Sequence, residues 1–171
     1  MRAFARFVAL SLTLAAFAAA SDEAGFLKTL AEGNRAEIEA GELAANKAST
    51  DVVRDFGTML VKDHGAALQK VEAVAKSSNV ELPAAFGKEK TEMLDKLRKS
   101  EAPRFDAEYL AAMVKAHEKT VALLESEIAN GSPDTKALAQ ELLPTVRSHL
   151  NEAYRLSGQE DKAAAMPSTG P

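Results

Sequence analysis

Four long segments of this chain repeat apolar side chains at helical spacing, with stop signals between them, so the fold class follows from periodicity before any motif is read. The first runs from about Asp22 to Ala48, with Leu27, Leu30, Ala31, Asn34, Ile38, Gly41 and Ala45 on one face. Ser49-Thr50-Asp51 then offers a helix start. The second runs to about Ser78, with Phe56, Leu60, Asp63, Ala67, Val71 and Val74 in one stripe, and Asn79 and Pro83 end it. The third spans about Pro103 to Asn130 and closes at Asn130-Gly131; its stripe is Asp106, Tyr109, Leu110, Met113, His117, Leu124 and Ile128. The fourth opens at Ser132-Pro133-Asp134, where an N-cap, a proline of the first turn and an acid at the positive end of the helix dipole coincide. It ends near Gly158, with Leu138, Leu142, Thr145, His149, Ala153 and Leu156 in line.

Loop lengths constrain the topology. The first two helices, like the last two, are separated by a few residues and must form antiparallel hairpins. The middle connection, about Asn79 to Ala102, contains a short amphipathic helix over Lys88 to Lys99, with Met93, Leu94 and Leu97 apolar. A connection of that length can cross the whole bundle, as in ferritin-like folds, or decorate an up-down bundle as a long loop. The expected architecture is all-α: a ferritin-like four-helix bundle over residues 21–157, two antiparallel hairpins joined by a long crossover. Residues 158–171 lack periodicity and are expected to be a disordered tail.

Residues 1–20 carry Arg2 and Arg6, an uncharged run from Phe7 to Ala20, and a terminal Ala18-Ala19-Ala20. This has the form of a cleavable signal peptide, and its apolar run is short for a membrane span. The expectation is an exported, periplasmic protein with no transmembrane span; association with the envelope surface is the alternative. The chain is acidic, with a formal charge of −4, and it has no basic block and few aromatic residues. Nucleic-acid binding therefore has little support. It contains no cysteine and three histidines, which excludes disulfide scaffolds, thiolate metal sites and thiol catalysis. No nucleophile-elbow motif suggests a hydrolase. Any metal must be held by imidazole and carboxylate.

At about 100 degrees per residue, Asp106 and His117 lie near the middle of the third stripe and His149 in the middle of the fourth. Asp63 falls inside the second stripe and His64 at its flank, about 70 degrees from the centre. Glu37 lies at the edge of the first. Each histidine also follows the same local pattern, a valine three residues earlier and a base two residues earlier: Val61-Lys62, Val114-Lys115 and Val146-Arg147. In a helix that pattern turns the imidazole inward and the cation to water. Helices of similar length bring their midpoints to one level. Glu37, Asp63, His64 and His117 fall within a turn of mid-height, and His149 about four residues away, or roughly 6 Å.

A polar layer inside the bundle follows, and charges there must pair with one another, with water or with a metal. One reading is a transition-metal site (Fe, Mn, Zn or Cu) built from His117, His149, His64, Asp63, Asp106 and Glu37. The other is a metal-free network of imidazoles and carboxylates that fixes the register of alanine-rich helices in a non-enzymatic bundle. Met59 and Met113 lie about a turn from histidines, but methionine on an apolar face is usually filler. Pro144, one turn before His149, removes a helical hydrogen bond and either aims that imidazole or accommodates packing.

Taken together, several motifs resemble a known family: Glu37-Ile38-Glu39-Ala40-Gly41-Glu42-Leu43-Ala44, Asp63-His64 after Met59, Leu82-Pro83, Phe105-Asp106 with Tyr109, Met113 through His117, and Leu143-Pro144 with His149-Leu150. The set is similar to the bacterial exported domain-of-unknown-function family 4142, assigned to the ferritin-like superfamily and often labelled predicted outer membrane protein. The resemblance spans about Asp22 to Leu156; it implies a ferritin-like fold and export, and no reaction. Di-iron ferritin-like enzymes carry Glu-x-x-His, whereas valine stands three residues before each histidine here. Their oxidation chemistry does not transfer to this chain.

Overall fold

The computed structural model describes residues 11–166, with side chains described from Glu23 onward. Six helices account for nearly all of it: α1 (Ser11–Lys47), α2 (Asp51–Ser77), α3 (Lys88–Lys99), α4 (Arg104–Asn130), α5 (Pro133–Leu156) and α6 (Glu160–Ala165). The fold is all-helical. The leader expected over 1–20 has its first ten residues outside the described ones, and Ser11–Ala20 continue α1 upstream of the expected start at Asp22. Among the described residues no helix is long and apolar enough to cross a membrane.

Turn chemistry sets the elements much as the sequence suggests. At the start of α5 the Ser132 side chain accepts from the Thr135 amide and Pro133 occupies the first turn. The start of α2 is different. Neither Thr50 nor a neighbour in its own helix caps it. Instead Asp106, from the first turn of α4, receives the amides of Ser49 and Thr50 and both of their hydroxyls at 2.8–3.1 Å. That clasp fixes the α1–α2 turn to the beginning of the second hairpin.

Cross-helix pairs give the topology. Ser78, just past α2, meets Glu23 near the described start of α1, whereas Asp106 meets the end of α1. The chain between them therefore runs the length of the bundle, which selects the crossover over the decorated up-down loop. Within it α3 lies against α1 and α4: Leu94 and Leu97 are buried, the Glu32 carboxylate accepts from the Gly87 amide, and Glu89 bridges Lys115 and Lys119. Close approach of α1 and α2 is allowed by Gly41 and Gly57. A Cβ on Gly41 would sit 2.7 Å from the Gly57 carbonyl oxygen.

The interior is two apolar blocks. One, around Phe56, Leu60, Leu94, Phe105, Tyr109 and Leu150, fills the end where Asp106 sits. The other, around Phe26, Leu27, Val71, Leu124, Leu138 and Leu142, fills the opposite end. Each buried side chain of this size contributes about 1.5–3 kcal/mol through removal from water. Val121 packs against both blocks.

The tail departs from expectation. Residues 160–165 form α6, because Glu160 and Asp161 suit a helix N-terminus and the alanines after them favour helix. Ala163 is buried, its carbonyl accepts from the Asn151 amide at 2.8 Å, and Lys162 lies over the Tyr154 ring. Residues 167–171 of the expected disordered segment lie outside the described ones.

Candidate metal centre

Between the two apolar blocks the three histidines meet. The ring centroids of His64, His117 and His149 form a nearly equilateral triangle with sides of 5.4, 5.3 and 5.5 Å. Each brings one ring nitrogen within 4.8 Å of the others. Glu37 of α1 completes the group: its Oε2 lies 2.6 Å from His64 Nε2 and 3.4 Å from His117 Nε2. All four residues are buried, and each comes from a different long helix.

The outer nitrogens are committed. His64 Nδ1 lies 2.9 Å from Asn34 Oδ1, and the Asn34 amide already donates to the Leu30 carbonyl, so His64 must be the donor. His117 Nδ1 donates to the Met113 carbonyl at 2.9 Å, one turn back along α4. His149 Nε2 donates to Asp63 Oδ2 at 3.0 Å. These contacts select the tautomer of each ring and leave the opposite nitrogen with a lone pair. At the centre, His64 Nε2, His117 Nε2, His149 Nδ1 and Glu37 Oε2 are left without a hydrogen-bond partner; among the described residues the Ser100 and Tyr109 hydroxyls, outside the centre, share that condition. The close His64–Glu37 approach does not have the direction of a hydrogen bond.

Electrostatics disfavour a charge on His117 and His149. Burial lowers the pKa of His117, and the charge of Glu37 offsets this only in part. Burial, reinforced by the charges His117 and His64 would carry, pushes His149 down to about 4 despite Asp63. Burial also penalises the Glu37 carboxylate, but His117, His64 and, more weakly, Lys90 outweigh it, so its carboxyl stays well below the ordinary range. Three inward imidazole nitrogens and one ionised carboxylate form a donor set suited to zinc, copper or iron. The residues fit an ion. Metal–nitrogen bonds of about 2.0–2.1 Å would draw the three nitrogens somewhat closer together.

Five of the six residues expected at the site converge: Glu37, His64, His117 and His149 at the centre, and Asp63 behind His149. Asp106 does not. Its carboxylate is used in the clasp on Ser49 and Thr50, whose hydrogen bonds overcome the cost of burial and hold its pKa down. Its central wheel position marks it as buried, but its place in the first turn of the helix puts it at the end of the bundle, away from the histidine level. The roles of Asp63 and His64 are also exchanged relative to the wheel. The Asp63 side chain is 32% exposed while His64 is buried, since α2 turns His64 toward α1 and Asp63 toward α5. Met59 is exposed, and Met113 contributes its carbonyl to His117.

Two participants were missed. Asn34 was visible as a polar residue on an apolar face, the signal of a buried partner; Lys90 lies in the crossover, where no periodicity points to a site.

A cavity of about 590 Å³ adjoins the centre, walled by both hairpins and α3. Glu37, His64 and His149 line it; His117, fully buried, closes the centre from behind.

Comparison with known proteins agrees with this architecture. A crystal structure titled as a DUF305 fragment from Deinococcus radiodurans superposes with a TM-score of 0.71 at 14% identity, covering 81% of this chain and 96% of the other. At that identity the likeness concerns the helical fold alone. No curated protein matches the chain. The family model described as a domain of unknown function, DUF4142, matches residues 10–156, and the chain therefore belongs to the DUF4142 family.

Proposed function

We propose that this chain is an exported ferritin-like bundle that binds one transition-metal ion through Glu37, His64, His117 and His149, with Asn34 and Asp63 orienting their imidazoles, and that it serves metal handling or envelope stress defence. One observation carries this reading: four buried donor atoms on four helices share one interior layer without hydrogen-bond partners. In a metal-free network each such atom would cost about 1–3 kcal/mol. That cost tells against the purely structural alternative. The N-terminal charged and apolar pattern supports export.

When bound, an ion at this layer supplies Lewis acidity or, if redox-active, one-electron chemistry. The chain's own residues do the rest. Asn34, the Met113 carbonyl and Asp63 hold the rings in position, burial holds the pKa values of His117 and His149 down, and His117 shields the layer from one side.

The test is elemental analysis of protein refolded with iron, manganese, zinc or copper in turn. A single ion per chain, lost in the double variant His117→Ala plus His149→Ala, is expected. Failure of every metal to bind, or binding that survives the double substitution, overturns the reading. N-terminal sequencing of protein recovered from an expressing bacterium's periplasm tests export.

A further inference from the structure

The cavity beside the centre has a chemical character of its own. Leu30, Ala67, Leu123, Leu142 and Val146 give it an apolar surface, interrupted by Thr29, Thr120 and Thr145. At its polar end are Glu37, His64 and His149, so an ion held there faces the cavity on one side. Its volume of about 590 Å³ is that of a small-molecule pocket.

Three lysines also line it. Lys70 pairs with Glu141 and Lys119 with Glu89. Lys90, half-buried, has no carboxylate within 4 Å among the described residues. Its charge is near enough to act on both Glu37 and His117. A divalent ion with Glu37 and Asp63 sums to zero charge, and Lys90 leaves the polar end positive by one. The complement is a single negative charge on an apolar body.

We propose that the cavity binds a short-chain monocarboxylate, its carboxylate directed to the metal and Lys90 and its hydrocarbon tail packed against Leu30, Ala67, Leu123 and Leu142. No arginine lines the cavity, and one lysine matches a monoanion better than a phosphate dianion. The proposal rests on the metal reading above and gives that site a ligand class.

Cobalt(II) reports both levels, because its visible spectrum responds to a change of ligand. Full-length protein loaded with cobalt is titrated with acetate and with hexanoate. Hexanoate is expected to shift the spectrum and to bind at least about tenfold more tightly than acetate, given about 0.8 kcal/mol per buried methylene. Ala67→Phe, which fills the cavity, is expected to keep the cobalt and its unliganded spectrum while weakening hexanoate about tenfold or more. Leu123→Phe serves the same purpose if Ala67→Phe does not fold. Lys90→Gln is expected to weaken both carboxylates. Cobalt that never binds overturns the metal reading and this proposal with it. Cobalt that binds with a spectrum indifferent to hexanoate, or equally responsive in the filled-cavity variant, overturns the carboxylate proposal alone.

Discussion

Asn34 Oδ1 stands 2.9 Å from His64 Nδ1 across the first hairpin, and the amide of the same asparagine is held by the Leu30 carbonyl. The direction of that hydrogen bond decides which nitrogen of His64 is available at the centre. Asn34→Leu removes the constraint without touching the donor set, and metal affinity should fall about 10–100-fold. Competition against a chromophoric chelator measures it. Affinity equal to the wild type would mean that His64 is positioned by packing alone.

His149 gives the metal-free protein an acid limit. Its pKa is 6.5 in the ordinary state and is lowered to about 4 in the fold by burial and by His117 and His64. Between those values the unfolded chain takes up the proton first, so stability is complete above 6.5 and is lost as pH falls toward 4. The loss is about 3 kcal/mol. Glu37, also held below its ordinary value, acts in the same direction at lower pH. Urea midpoints at pH 7.5, 6 and 5 in the presence of chelator should decline steadily, and His149→Gln should flatten the decline. A flat wild-type profile would contradict the assignment of a neutral His149.

Asp106 separates folding from binding. Asp106→Ala strips four hydrogen bonds from the α1–α2 turn and should cost about 2–3 kcal/mol of stability, with metal affinity unchanged under conditions where the variant is folded. Denaturation paired with metal titration distinguishes the two. Loss of metal from a fully folded variant would return Asp106 to the site.

Gly41 tests the spacing of the first hairpin. A methyl group there would meet the Gly57 carbonyl at 2.7 Å and a Val61 side-chain carbon at 2.8 Å, so Gly41→Ala must push α2 away from α1. The expected cost is about 2 kcal/mol. Because His64 and Glu37 belong to those two helices, metal affinity should fall as well, whereas Gly65→Ala, with open space at its Cβ, should leave affinity as it is.

Much of this was legible before any coordinates. The periodicity places α2 and α3 to within a residue, and Ser132-Pro133 marks the start of α5. The mid-height argument found the His layer because equal helices in short-looped hairpins have little freedom to slide. What a wheel cannot see is the neighbour. A single helix shows one stripe, but α2 packs on α1 along one edge and α5 along another, so the edge residues His64 and Glu37 became the most central donors. Asp106 lies three residues into its helix, far from mid-height, and its partners Ser49 and Thr50 are in a turn that no wheel places beside it. The tail differs for a related reason: α6 has too few residues for periodicity, and Ala163 is its one buried side chain.

The histidine layer also divides the interior. Apolar side chains cohere within each block, and Val121 is packed against both, so the plane through the imidazoles is where cohesion is least. Each end of the bundle thus has its own cost of opening, and amide exchange in the two ends need not rise together. Four candidate donors on four helices bear on that balance. An ion at mid-height would act as a rivet through the weak plane, making one cooperative body of two stacked ones.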